Sequence, residues 1–123
     1  MAIDINTISI NLNGLNDWSD YKDVLQELAQ EITNYRLIYK GTLSTKEKDR
    51  LRKDAREIRL LAQRIEEELT DRKLEDLQSE LTQLESAIER ADSFLTDVEN
   101  AKDAINAVAK VIEIAGIVLK PFA

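Results

Sequence analysis

The chain has 123 residues, enough for one domain with a modest core. Charged residues make up 33% of it, and it has three Gly, one Pro, no Cys and no His. That balance suits long helices, argues against a sandwich or barrel, and removes disulfides, thiolate and imidazole metal sites and the commonest general base.

A net charge of −7 disfavours nucleic acid and anionic membranes as partners. The start Met1-Ala2-Ile3-Asp4 lacks the basic opening and apolar core of a signal peptide, so the expected location is cytoplasmic. Residues 1–16 read as a short extended, strand-like arm. Ile3 and Ile5, then Ile8, Ile10 and Leu12, alternate with polar residues across a one-residue phase slip near Thr7, and Asn13-Gly14 ends the run with turn chemistry. A lone strand needs partners for its backbone groups. It either lies across the helices or pairs with another chain, which makes Ile8 and Ile10 candidate interface residues.

Helix 1 is expected over 17–40. Trp18, Tyr21, Leu25, Leu28, Ile32, Tyr35 and Tyr39 keep a 3-4 spacing and share one stripe. Asp17, Asp20 and Asp23 suit its positive N-terminal end, and Gly41 marks its stop. Helix 2 is expected over 44–70, opened by the capping box Ser44-Thr45-Lys46-Glu47, with Leu51, Ala55, Ile58, Ala62, Ile65 and Leu69 as its seam.

A third helical region spans 72–119. Its first seam is Leu77, Leu81, Leu84, Ile88, Ala91, Leu95 and Val98, out of phase with helix 2, so a tight turn is expected at Thr70-Asp71-Arg72. Segment 46–64 carries eight basic and four acidic residues, and segment 74–103 nine acidic and two basic. Folding at residue 71 is expected to lay these faces together, which also accounts for the basic stretch without a nucleic acid. Between Val98 and Ala101 the seam slips by one step, which raises the alternative of a break near residues 93–97. A continuous helix absorbs such a slip, or a fourth helix starts there, capped by Thr96 with Glu99 three residues on. The sequence therefore predicts an all-α, antiparallel up-and-down bundle. Three helices with a long last one is the first expectation, and four helices of similar length the second.

Residues 104–119 are apolar except Asn106, Lys110 and Glu113, which fall on one narrow stripe. Such a helix must be covered on most sides. Sixteen residues reach only about 24 Å against a hydrocarbon core of roughly 30 Å, so a membrane is an unfavoured cover. Ile105, Val108, Ile112, Ala115 and Leu119 are accordingly the candidate contacts for a second copy or an unknown protein partner.

Little in the sequence points to catalysis. Ser9, Asn11, Asn13 and Asp20 loosely echo a calcium loop, but the first and last ligands are wrong and a turn before a helix explains them better. Glu75, Asp76, Glu80, Glu85 and Glu89 alternate with the Leu seam and read as a solvated face. Trp18, Tyr21, Tyr35 and Tyr39 read first as core packing with hydroxyls at the rim, and second as interface. No phosphate loop, nucleophile motif or cofactor fingerprint occurs. The expected function is a non-enzymatic oligomerisation or adaptor module without cofactor, with a homodimer favoured. The alternative is a membrane-active protein that exposes its apolar tail.

Overall fold

The computed structural model describes Leu12 and residues 15–120. Four helices fill it: α1 (Trp18–Ile38), α2 (Thr45–Leu69), α3 (Gln78–Phe94) and α4 (Ala101–Leu119). Short 3₁₀ turns, Leu74–Leu77 and Val98–Asn100, lead into α3 and α4, and no strand occurs among the described residues. The arm bearing Ile8 and Ile10 lies outside the described residues.

Local chemistry sets the helix starts. The Asp17 carboxylate accepts from the Asp20 N–H at 2.9 Å, and the Asp20 carboxylate accepts in return from the N–H groups of Asn16 and Asp17. Ser44 and Glu47 close the expected box at the start of α2, with Ser44 N–H donating to Glu47 at 2.8 Å. Both devices satisfy donors that a helix start leaves unpaired. At the end of α1, the Tyr39 carbonyl accepts from the N–H groups of Thr42 and Leu43. Gly41 follows without a left-handed backbone, and a Cβ added to it would meet open space, so the stop is made by Tyr39 and not by the glycine.

The single long helix through 119 does not form; the second expectation, four helices, holds. The helical run breaks at Leu95. The Thr96 hydroxyl turns back to the Ser93 carbonyl at 3.0 Å, so it does not cap the next helix. Asp97 caps the 3₁₀ turn that leads into α4: it is extended, and its carboxylate accepts from the Glu99 N–H at 3.0 Å. The Tyr35 hydroxyl then donates to the Asp97 carbonyl at 2.8 Å, tying the break to α1. Tyr35→Phe deletes that bond and keeps the ring. Urea titration is expected to show a loss of about 1 kcal/mol with helix content unchanged.

Packing runs in the ring order α1, α2, α4, α3, closing with a light contact between α3 and α1. Trp18 Nε1 donates to the Arg72 carbonyl at 2.9 Å, so the start of α1 meets the turn before α3. The Tyr35 bond places the end of α1 at the turn after α3. Thus α1 and α3 run in one sense, and α2 and α4 run back.

In this ring α2 and α3 stand diagonally opposite, so the expected pairing of a basic with an acidic face is not made. Sequence-local partners take up charges instead, Arg50 with Asp54, Arg52 with Asp49 and Arg64 with Glu68, while Glu66 pairs across to Lys22 of α1. An exposed ion pair contributes about 0–1 kcal/mol, whereas burying one Leu contributes about 1.5–3 kcal/mol. The apolar seams therefore choose the neighbours. Every residue of the helix 2 seam is buried, as is the helix 1 stripe apart from half-buried Tyr39.

Candidate interaction surface on the last helix

Helix α4 turns Ala104, Val108, Val111, Ala115, Val118 and Leu119 into the core. Of the residues expected at an interface, Val108, Ala115 and Leu119 thus serve the chain's own fold, while Ile105 and Ile112 are half-buried. The expected stripe straddles the edge of the buried face. With apolar residues on nearly all sides of this helix, spacing alone does not locate the centre of that face.

Ile105, Ala109, Ile112 and Gly116 follow at 4-3-4 spacing along one flank, partly or fully open to solvent. The flank borders α2, where Ile105 shares a shallow groove with Lys46, Glu47, Asp49, Arg50 and Lys53. Gly116 lies in the last turn of α4, three residues before Leu119. A Cβ there would meet nothing within 4 Å, so no described residue requires the glycine. Leu60, on the outer side of α2, is 52% exposed. Beneath the groove, Asp54 is buried and accepts from Arg50 Nε through both oxygens, at 3.2 and 3.1 Å. Burial raises its pKa, against the lowering effect of Arg50.

The opposite edge, between α1 and α3, holds carboxyl groups that sequence reasoning missed. Glu31 is buried and hydrogen-bonded to Asp92. Burial first, then Asp92 and Glu27, push its pKa up to about 9. Tyr21 donates to Glu85 on the same edge, and burial followed by the Glu85 charge raises the phenol to about 12. The signal for Glu31 was present: it completes a 4-3-4 stripe with Val24, Leu28 and Tyr35, all buried. Of the helix 3 carboxylates read as a solvated face, Glu75, Asp76 and Glu89 are exposed and Glu80 and Glu85 half-buried.

Trp18, Tyr21 and Tyr35 are core residues, and Tyr35 meets half-buried Tyr39 edge-on at 5.1 Å. Of the calcium-loop echo, Ser9, Asn11 and Asn13 lie outside the described residues, and Asp20 is occupied in the α1 capping box. Among the described residues, no three acidic side chains gather closely enough to hold a metal ion, and no helix is long and apolar enough to cross a membrane. Fold and surface together define an all-α four-helix bundle with one half-open apolar flank. Comparison with protein-family models, curated proteins and solved structures finds no match to this chain.

Proposed function

We propose that the protein is a non-enzymatic self-association module whose α4 flanks pair in a homodimer. The observation that carries this reading is Gly116, an exposed glycine in the last turn of α4 on the stripe of Ile105, Ala109 and Ile112. Small residues on such a stripe let a second helix approach closely, and a two-fold contact needs only one self-complementary patch.

Charge favours the antiparallel arrangement. It sets the basic start of α2 (Lys46, Arg50, Lys53) beside the acidic end, residues 66–68, of the second copy's α2. From Ile105 to Gly116 the stripe is about 17 Å long. That alone falls short of the roughly 800 Å² per partner of a stable interface, so the outer side of α2, with Leu60, joins the contact.

Size-exclusion chromatography with light scattering tests the reading. The intact chain is expected at twice the chain mass. Ile112→Lys and Gly116→Leu are expected at the single mass with undiminished helical circular dichroism. An intact chain that stays monomeric at every concentration sinks the proposal. The membrane-active alternative has less to support it, because most of the apolar circumference of α4 is already engaged in the core.

A further inference from the structure

The basic side of α2, which has no acidic helix beside it, runs along α1. Three contacts fix how the two helices meet. Lys22 Nζ lies 3.2 Å from Glu66, Arg59 donates to the Thr33 hydroxyl at 3.3 Å, and Lys48 Nζ donates to the Lys40 carbonyl at 3.2 Å. Arg36 stands one turn from both Thr33 and Lys40. Arg52 and Arg56 stand one turn from Lys48 and Arg59 respectively, so one edge carries all of them.

These cations have little acid among them. Arg52 pairs with Asp49 at 3.4 Å, both well exposed. Among the described residues, no carboxylate pairs with Arg36, Arg56 or Arg59. The nearby acids of α2 are engaged elsewhere, Glu47 in the capping box and Asp54 with Arg50. Arg36 is half-buried, and its Nε is shut off from water with no acceptor. A guanidinium held in that way gives up hydration without a counter-charge, which an arriving carboxylate supplies.

The surroundings limit what fits. From Lys48 to Arg59 the basic edge is about 17 Å long. Beyond it the charge changes sign, with Glu66 and Glu67 on α2 and Asp23 and Glu27 on α1. A nucleic-acid strand running on would meet those acids, whereas a short peptide ends before them. Leu37, 55% exposed on α1 beside Arg36, offers an apolar contact of no use to a phosphate backbone.

We propose that the α1–α2 edge is a docking groove for a short acidic segment of a partner protein. Its carboxylates take the forks of Arg36, Arg52, Arg56 and Arg59, and an apolar side chain beside them covers Leu37. The groove opens on the side of α2 turned away from α4, so it serves a partner whether or not the α4 flank is paired.

The test is fluorescence anisotropy of a labelled peptide of alternating Glu and Leu, about ten residues long, titrated with the full chain. Binding is expected at low ionic strength and is expected to weaken as salt is added. Arg59→Glu and Arg36→Gln should each weaken it about tenfold or more. Lys102→Glu, at an exposed position on α4, makes the same change in net charge as Arg59→Glu and should leave binding unaltered. Ile112→Lys should leave it unaltered too, even where it abolishes the dimer. Circular dichroism checks each fold, and exposed Arg56→Glu gives a second reading if the Arg36 variant folds poorly. No binding of the peptide, or binding indifferent to the groove substitutions, overturns the proposal. So does equal binding of a peptide of alternating Gln and Leu, or of single-stranded DNA of similar length.

Discussion

Truncation after Asn100 is expected to abolish cooperative unfolding and leave a chain that aggregates. Helix α4 contributes five buried branched aliphatic residues, Val108, Val111, Ile114, Val118 and Leu119, and packs on both α2 and α3. At about 1.5–3 kcal/mol for each such side chain, its loss rivals or exceeds a net stability of about 5–15 kcal/mol. The measurement is a urea titration followed by near-ultraviolet circular dichroism, with static light scattering alongside. A monomeric 1–100 fragment with a sharp transition would show that the other three helices form a core without α4. Because the fold itself depends on α4, truncation does not isolate the assembly surface; point substitutions on the flank do.

The second large effect separates core from flank within that helix. Val108→Asp places a carboxylate at a fully buried position, where an unpaired charge costs about 3–5 kcal/mol or more. The variant is expected to be largely unfolded at neutral pH. Ile105→Asp, one helical turn away, is expected to stay folded within about 1 kcal/mol, because the new carboxylate reaches water in an open groove of mixed charge (Lys46, Glu47, Asp49, Arg50 and Lys53). Thermal melts of the two proteins decide the matter. Equal destabilisation would mean that Ile105 is as deeply committed to the core as Val108.

Helix positions were legible in the sequence because period and capping agree there. The stripe from Trp18 to Tyr35 and the box at Ser44–Glu47 each give the same answer at two levels. The break at Leu95 was legible only as a phase slip. The Tyr35 hydroxyl, 62 residues away, ties that turn to α1, and no local pattern announces a tertiary bond.

Neighbour order was misread because charge bias was allowed to choose partners for α2. Exposed charges find partners within their own helix at almost no cost, as Arg64 and Glu68 do at 2.7 Å. Seam shape then decides who sits beside whom. Which residues of α4 reach the surface was only half legible. Ile105 and Ile112 reach the surface and Val108 does not, a difference of a few tens of degrees around one helix. Glu31 and Asp54 went unnoticed because carboxylates are counted as surface by default, although each interrupts an otherwise apolar stripe.

The diagonal step from α2 to α3 has a consequence for how the chain assembles. Each pair adjacent in sequence, α1–α2 and α3–α4, is a hairpin built mainly from short-range contacts, which favours rapid formation. What unites the hairpins is chiefly α2 against α4. As the chain is synthesised, the first hairpin therefore waits with one side of α2 uncovered until α4, the last of the four helices, has been made. During that interval the second hairpin of any neighbouring chain fits the same uncovered side. The misassembly this architecture must outrun is an exchange of α3–α4 hairpins between two chains, hinged on the short turn at residues 70–73.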